Sequence, residues 1–551
     1  MQAFDNVRSA LKGFLQDRGL EWPAKAVVEP PKDPRHGDVA TNLAMLLAKP
    51  LHKAPRDIAA ELAAWLREHC AGAESVDIAG PGFCNITFSK DFWRDVVCQV
   101  EAAGSDFGSS TVGAGKKTLV EYVSANPTGP LHVGHGRGAA AGDSIARILR
   151  KAGYDVTTEY YINDAGRQMR ILGLSVWYRL RNMVGRPMDE PADYYRGAYI
   201  KDIAAEMLAK DPTLATLDDA EGQDRCYEYA KNAIMAGIKQ DLADFRVEHQ
   251  VWFSEKSLVQ GGLVDRAFKA LADAGYTYEK DGALWFATSR LGDDKDRVLR
   301  KSDGSLTYFA SDIAYHHNKF ERGFDWLIDV WGADHHGYIP RMRAAIEAMG
   351  RPRESFDVVL IQLVNLLVKG EPVGMTTRGG IFETLAAVVE EVGADAARFM
   401  FLSSKTDTSV NFDLEVVKQR TMENPVYYVQ YAHARICAVL RRAAEEGVTL
   451  PTRSDLSALA ALDSAEDMQL LRKLALFRDV VEQAAQHLAV HNVGHYLTEL
   501  SQMLHSYYTK YQILKAADPA VTLARLALLR AVAQVVANGL DLMGVSAPDR
   551  M

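Results

Sequence analysis

Two histidines three residues apart, His132 and His135, are the side chains whose types and spacing most readily support catalysis. They end the run Ser124-Ala-Asn-Pro-Thr-Gly-Pro-Leu-His-Val-Gly-His, with Gly134 between them. On a first helical turn they would face the same way, and both imidazoles could donate hydrogen bonds to an α-phosphate under attack. Gly134 leaves room for a flat base against the backbone. The segment therefore predicts a nucleotide site, with a plain tight turn as the structural alternative.

The flanking pattern predicts the elements that position these histidines. Thr118 to Val123 is a short, β-branched and apolar run typical of a strand, and the Ala-rich stretch from Gly136 to Gly153 has helical spacing. A second strand from Val156 to Ile162 would complete a right-handed βαβ unit. In such units a phosphate binds beyond the strand ends, at the N-terminus of the helix.

Further along the chain, strand-like and helical segments continue to alternate, which predicts an α/β fold with a doubly wound parallel, Rossmann-like catalytic sheet. The segments on either side have a different character. We expect an α+β domain over residues 1–113, the sheet domain over 114–420, and an all-α bundle over 421–551. Within the sheet domain we expect a helical insertion at about 170–280 and a loop at 370–380.

Composition is that of an ordinary globular enzyme, with 48 % hydrophobic and 25 % charged residues among 551. No continuous apolar run reaches the roughly 18 residues of a membrane helix, and the N-terminus lacks a signal-peptide pattern, so we expect a cytoplasmic protein without membrane contact. The five cysteines are scattered without Cys-x-x-Cys spacing, which argues against disulfides and a cysteine zinc site. A net charge of −9 argues against a protein that binds nucleic acid with most of its surface, but it permits a local basic face.

The run from Ser124 to Gly136 resembles the ATP signature of class I aminoacyl-tRNA synthetases, and its long lead-in is similar to that of arginyl-tRNA synthetases. Small adenylyl- and cytidylyltransferases share the fold and the His-x-Gly-His pattern, but they are single small domains. Other segments extend the resemblance over essentially the whole chain. The segments that resemble the family's tRNA-contacting N-terminal domain are His36–Asp38, Asn42–Lys49 and Gly80–Phe83. Those that resemble its anticodon-binding domain are Asn424–Arg435 and Gly539–Met551. A dimerisation bundle is the structural alternative for the C-terminal helices.

The resemblance implies an arginine-tRNA ligase that uses ATP as a substrate, with Mg²⁺ accompanying ATP rather than held in a protein cage. The implied partners are arginine, ATP and tRNA(Arg), and we expect a monomer. His132 and His135 would be catalytic. The resemblance implies an ATP site comprising His132, Gly134, His135, Gly332, Asp334, Met375, Thr376 and Thr377.

A guanidinium is planar and permanently charged, so a pocket that selects it needs carboxylates in fork geometry and an aromatic or carbonyl wall. Tyr308 and Asp312, one helical turn apart, resemble the arginine-selecting pair of the family. The full set of residues that the resemblance assigns to arginine is Glu121, Ser124, Asn126, Tyr308, Asp312 and His335.

The chain departs from its family at the second signature of class I synthetases, Lys-Met-Ser-Lys. Gly374 and Thr377 occupy the two lysine positions. This departure keeps open a synthetase-like tRNA-binding protein with impaired catalysis. If the chain is an active enzyme, another cation must offset charge on the leaving pyrophosphate; Arg378 is the nearest candidate, with Lys369 in reserve.

The run Asp334-His335-His336 suggests a different class, a metal-dependent phosphoesterase of the Asp-His-His type. Such a site needs further aspartates to hold two cations about 3.5–4 Å apart, and no Asp-x-Asp adjoins an apolar strand. The same run resembles the synthetase segment that closes around adenine and arginine. We therefore expect no protein-held metal, and we interpret His316 and His317 as ordinary helix residues.

Overall fold

The computed structural model describes residues 2–31, 33–372, 384–516 and 518–551. The first part of the chain folds into an antiparallel sheet, in the strand order β1-β2-β4-β3, covered by helices. Its elements are α1 (Gln2–Gln16), β1 (Val28–Glu29), β2 (Val39–Thr41), α2 (Leu43–Leu51), α3 (Pro55–His69), β3 (Ala73–Ala79), β4 (Phe83–Phe88) and α4 (Lys90–Ala103).

The middle of the chain is built on a five-stranded parallel sheet, in the order β12-β11-β5-β6-β7, which confirms the expected fold class. The elements of its first half are β5 (Lys117–Glu121), α5 (Val133–Lys151), β6 (Asp155–Ile162), α6 (Arg167–Met183), α7 (Ala198–Lys210), α8 (Asp219–Asp244), β7 (Val251–Ser254), α9 (Lys256–Gln260), α10 (Leu263–Asp273), β8 (Thr277–Lys280) and β9 (Ala283–Phe286). Those of its second half are β10 (Arg297–Arg300), α11 (Tyr308–Glu321), β11 (Trp326–Gly332), α12 (Ile339–Ala348), β12 (Phe356–Ile361), β13 (Val364–Val368), β14 (Glu371–Pro372), α13 (Leu385–Val392), α14 (Ala394–Leu402), β15 (Val410–Asp413) and α15 (Leu414–Lys418).

The central crossover β5-α5-β6 packs closely because α5 presents small residues to the sheet. A Cβ atom on Gly142 would lie 2.2 Å from Cγ of Tyr122, so only glycine allows this approach of helix to strand. Successive connections run to opposite sides of β5, with β6 on one side and β11 on the other. Such a reversal opens a crevice at the carboxyl ends of the strands, where α/β proteins bind their ligands.

Three details of the sheet domain differ from the sequence predictions. β7 lies within the stretch expected to be a helical insertion and pairs in parallel with β6, since four residues are too short a run to stand out. The apolar and aromatic residues at 306–309 favour a strand, but α11 begins there because the Thr307 hydroxyl caps Ala310 N. The apolar run at 358–367 favours one strand, but it divides at Gln362, whose carbonyl accepts from Arg137 and whose N–H donates to the carbonyl of Thr406.

The C-terminal part is a helical bundle. Its helices are α16 (Pro425–Glu445), α17 (Leu456–Leu459), α18 (Ala465–Ala475), α19 (Phe477–His487), α20 (His491–Lys510) and α21 (Pro519–Leu542). Among the described residues, α21 alone is long and apolar enough to cross a membrane, but 61 % of its most apolar window is buried within the fold, as in the core helix of a bundle. The N-terminal part docks on this bundle through contacts that include Glu101 with Arg530 and Asp38 with Arg472.

Candidate active site

A cavity of about 1180 Å³ opens at the carboxyl ends of the central strands, where the topology predicts a ligand. Segments that follow β5, β6, β11 and β12 form its walls, together with the start of α5 and of α11. It brings together nine of the residues expected from sequence: Ser124, Asn126, His132, Gly134, His135, Tyr308, Gly332, Asp334 and His335.

The two histidines are fixed by the start of α5, which begins at Val133 rather than at Gly136. His132 is the N-cap, and its Nδ1 accepts from the N–H groups of Gly134 at 3.1 Å and His135 at 3.4 Å. In return, Nδ1 of His135 accepts from His132 N at 3.2 Å. This is a capping box built from imidazoles. Because both Nδ1 atoms accept, each ring carries its proton on Nε2, which remains free to donate.

Both rings are electrically neutral near pH 7. Desolvation lowers the pKa of His132, and desolvation together with the neighbouring ring lowers the pKa of His135 to about 4. The rings stack with centroids 3.6 Å apart, a distance at which two imidazolium ions would repel strongly. The pair is therefore built to donate two neutral hydrogen bonds rather than to present two charges.

Carboxylates gather around Tyr308, another residue of the cavity wall. The Asp312 carboxylate, burial, and the carboxylates of Glu121 and Glu255 raise the pKa of the Tyr308 hydroxyl. Burial raises the pKa of Asp312 to about 7, although the Tyr338 hydroxyl donates to its Oδ2 at 2.5 Å. The negative potential here suits a cation, and a guanidinium can use both oxygens of a carboxylate.

Ser124, Asn126 and Glu121 belong to the set that the family resemblance assigns to arginine. Ser124 and Asn126 line the cavity, and Asn126 Nδ2 donates to Gln168 Oε1 at 2.7 Å. Glu121 and Asp312 are not among the lining residues of the cavity. Glu121 is buried behind Ser124, whose hydroxyl donates to its Oε1 at 2.8 Å.

The segment after β11 contributes exposed side chains to the cavity. Asp334 and His335 line it, whereas His336 does not, and His335 Nε2 lies 3.8 Å from Asp334 Oδ2. No backbone cap holds these two side chains in the way that one holds the histidines of α5.

The signature-loop candidates Met375, Thr376, Thr377 and Arg378 lie outside the described residues. Lys369, the reserve cation, lies exposed at the turn between β13 and β14 with φ +54°, and it is not a lining residue of the cavity. The roles of these five residues stay predictions.

Sequence reasoning missed several residues of the cavity. They are Asn163, Arg167, Gln168, Glu255, Gln362 and Leu363, which follow β6, β7 and β12. The polar run after β6 was a usable signal, because parallel strands end at the same edge of a sheet. Glu255 gave no such signal, since β7 was taken for part of a helical insertion.

Metal-binding side chains do not gather at this cavity in the part of the chain that the structure describes. The one cluster of three there is His433, Cys437 and Asp549, in the C-terminal part. Cys437 Sγ lies 3.8 and 3.9 Å from the two ring nitrogens of His433, so it stands off the ring rather than in line with either lone pair. The Asp334-His335-His336 run forms no comparable cluster, which leaves the metal phosphoesterase hypothesis without structural support.

Comparison with known proteins assigns the chain to a family. The profile described as "tRNA synthetases class I (R), catalytic domain" matches residues 99–438. "Arginyl tRNA synthetase N terminal domain" matches 5–88, and "DALR anticodon binding domain" matches 429–551. A Desulfovibrio desulfuricans protein named "Arginine--tRNA ligase" is 65 % identical over the full length of both chains. The chain belongs to the arginyl-tRNA synthetase family.

More distant members share the full length as well. The Lawsonia intracellularis arginine-tRNA ligase is 51 % identical over the whole of both chains. The structure titled Thermus thermophilus arginyl-tRNA synthetase superposes with a TM-score of 0.73, covering 99 % of each chain at 23 % identity, which shows a common fold. The recognition that rested on the histidine segment and its lead-in is thus confirmed.

Proposed function

We propose that this synthetase joins arginine to ATP, giving enzyme-bound arginyl-adenylate and pyrophosphate. It then transfers the arginyl group to a hydroxyl of the 3′-terminal ribose of tRNA(Arg), and AMP leaves. One observation carries the proposal: the wall of a single cavity contains two neutral imidazole donors together with Tyr308 and Glu255, and the carboxylates of Asp312 and Glu121 lie near Tyr308 without lining the cavity. The imidazoles suit a phosphate in reaction, and the carboxylates suit a guanidinium.

At the ATP end, Nε2–H of His132 and of His135 donates to non-bridging oxygens of the α-phosphate. A carboxylate oxygen of arginine attacks this phosphorus, a P–O bond forms, and the bond to the departing pyrophosphate breaks. Negative charge on the α-phosphate oxygens grows in the transition state, so neutral donors already in place stabilise it most there. Gly134, Gly332 and Asp334 complete the adenosine site.

At the arginine end, Asp312 receives the guanidinium, and the Tyr308 ring forms part of the wall. Asn126 and Ser124 hold the α-amino and carboxylate groups, with Glu121 behind Ser124. His335 approaches from the segment after β11. Glu255, which lines the same cavity, adds a carboxylate that reinforces selection for a cation.

The remaining assignments follow from this reaction. Mg²⁺ enters with ATP as its counter-ion, and Met375, Thr376 and Thr377 approach the triphosphate. Residues 421–551 contact the tRNA, in keeping with the profile description that names anticodon binding, and residues 1–113 contact it as the family resemblance implies. The protein acts as a cytoplasmic monomer without a membrane partner.

Charge on the leaving pyrophosphate is offset by Arg378, because Gly374 and Thr377 replace the signature lysines. The lining residues of the cavity include one described lysine or arginine, Arg167, and its guanidinium is paired with Asp193 at 2.8 Å. A second cation supplied by the loop is thus the better candidate, with Lys369 in reserve. A protein that bound tRNA but activated no amino acid would instead favour the hypothesis of lost catalysis.

Amino-acid-dependent exchange of pyrophosphate into ATP tests the proposal, with arginine and lysine compared in the presence and absence of tRNA. We expect exchange with arginine alone, and only when tRNA is present, as the family resemblance implies. Comparable exchange with lysine would overturn the fork-geometry assignment of Asp312. Equal exchange without tRNA would contradict the dependence on tRNA that the family resemblance implies.

A further inference from the structure

Three carboxylates stand in a row across the central sheet, just behind the amino-acid end of the cavity. The parallel register pairs Glu121 on β5 with Asp329 on β11 and with Glu159 on β6. All three are buried, and neighbouring like charges in a sheet repel. The helix that covers this row, α11, supplies two compensating cations, Lys319 and Arg322, and the imidazole of His316, which hydrogen-bonds to Asp329.

Lys319 occupies the centre of this arrangement and is fully buried. Its Nζ donates to Glu121 Oε2 at 2.5 Å and to Asp329 Oδ1 at 2.9 Å. Burial alone would lower the pKa of the ammonium, but the carboxylates of Asp329 and Glu121 outweigh it and raise that pKa above its ordinary value. Lys319 is therefore a charged group that ties β5 to β11.

The second carboxylate held by Lys319 is itself fixed by α11. His316 donates through Nε2 to Asp329 Oδ2 at 2.8 Å and through Nδ1 to the carbonyl of Asp312 at 2.7 Å. The network thereby reaches the helix turn that carries Tyr308 and Asp312.

In the other direction, the network reaches a strained turn in the cavity wall. Val123 and Ser124 have φ values of +70° and +42°, a region that a β-branched residue such as valine rarely adopts. The Ser124 hydroxyl donates to Glu121 Oε1 at 2.8 Å and accepts from Tyr161 N at 3.1 Å. Strained backbone persists only where its surroundings hold it, and these two hydrogen bonds do so.

We propose that Lys319 is a positioning residue for amino-acid binding: by holding Glu121, it fixes the strained turn at Val123 and Ser124 and so sets the wall that Ser124 and Asn126 present to the substrate. The assignment rests on the proposed function, because it places arginine at that end of the cavity. Lys319 is not a lining residue of the cavity, so it acts through the carboxylates that it holds, and we assign the effect on the wall to Glu121 because that carboxylate accepts from Ser124.

Steady-state kinetics of Lys319→Met test this role, since methionine has a similar volume without the charge. We expect the KM for arginine to rise about tenfold or more while the KM for ATP stays within about twofold, because only one end of the cavity is displaced. The matched control is Arg322→Met. Arg322 pairs with Glu159 in the same row of carboxylates, but the hydroxyl that donates to the Glu159 side chain belongs to Tyr315, which does not line the cavity, whereas the one that donates to Glu121 belongs to Ser124, which does. We expect this control to lower the melting temperature and leave both KM values within about twofold.

Two results would overturn the positioning role: equal increases in the two KM values for Lys319→Met, or an increase in the arginine KM for Arg322→Met as large as that for Lys319→Met. If Lys319→Met does not fold, the double variant Lys319→Met/Glu121→Gln is compared with the single variant Glu121→Gln. In the double variant, Asp329 keeps its hydrogen bond with His316. Equal arginine KM values support action through Glu121, and a further increase of about tenfold would contradict it.

The same assay separates this inference from the proposed function. A parent protein that activates no arginine contradicts the function. A parent that activates arginine, together with a Lys319→Met variant of unchanged arginine KM, contradicts this inference alone.

Discussion

Two strand-turn-helix connections meet at the cavity, and they hold their functional side chains in different ways. After β5, the imidazoles of His132 and His135 are locked by reciprocal hydrogen bonds to the first turn of α5. After β11, Asp334 and His335 line the cavity with side chains 83 % and 56 % exposed, and their only mutual contact is at 3.8 Å.

The difference separates preorganised groups from adaptable ones. Donors that the backbone fixes need no reorganisation as charge develops, which is the condition for stabilising a transition state. Exposed side chains on a turn can follow a ligand but contribute mainly to its binding. We therefore expect substitutions after β5 to reduce rates, and substitutions after β11 to change affinities.

The largest effect is expected from His132→Ala and His135→Ala. Each should slow adenylate formation by about 10²–10³-fold with little change in ATP affinity, because the lost hydrogen bonds strengthen in the transition state. Single-turnover adenylate formation and a separate ATP-binding titration provide the measurement. A tenfold or larger rise in the KM for ATP at unchanged kcat would make these residues ground-state ligands and remove the contrast between the two connections.

Arg378→Ala tests whether the loop at 370–380 contributes as much to the rate of adenylate formation as the connection after β5. We expect a loss of about 2–4 kcal/mol of transition-state stabilisation, since a preorganised charge opposite the leaving pyrophosphate would be missing. Thr377→Lys in that variant should restore part of the rate of pre-steady-state adenylate formation. Activity within about threefold of the parent would instead direct attention to Lys369 or to the bound tRNA.

Asp312→Asn should weaken arginine binding about tenfold to a hundredfold, because a charge-assisted pair with the guanidinium is lost. The pKa of Asp312, raised by burial to about 7, also predicts a pH dependence in the parent. Below that pKa the carboxyl is protonated and must lose its proton to pair with a cation. Arginine should therefore bind about tenfold more weakly at pH 6 than at pH 8, and Asp312→Asn should abolish the difference.

Calorimetric titration of arginine at the two pH values gives this comparison directly. An unchanged pH dependence in Asp312→Asn would assign it to another carboxyl, with Glu255 as the next candidate.

The smallest effect is expected at the second connection. His335→Ala should raise the KM for arginine or ATP about two- to tenfold and leave kcat nearly unchanged, since the side chain is exposed and weakly held. His336→Ala is the matched control, because His336 is its exposed neighbour but does not line the cavity. A loss of kcat comparable to that of His135→Ala would show that preorganisation by backbone caps is not what distinguishes the two connections.

Much of the fold follows from apolar periodicity, and the site at the strand ends follows from topology. The start of α5 was placed three residues late, because an imidazole is an unusual cap and the polar lead-in looks like loop. Lys319 was not singled out, since a lysine in a helix ordinarily faces water. Its burial depends on Glu121, 198 residues away in sequence, and on the strand register that places Asp329 beside that glutamate. Charge pairing between residues so far apart in the chain leaves no local pattern in the sequence.

Attachment of amino acids to tRNA by the purified protein tests the central claim most directly. Bulk tRNA and Mg²⁺-ATP are supplied with each standard amino acid in turn, and tRNA whose terminal ribose has been oxidised with periodate serves as the control. The account predicts that arginine alone becomes attached, as an alkali-labile ester, and that the oxidised tRNA receives none. A protein that binds tRNA but attaches no amino acid, or one that attaches lysine as readily as arginine, would contradict it.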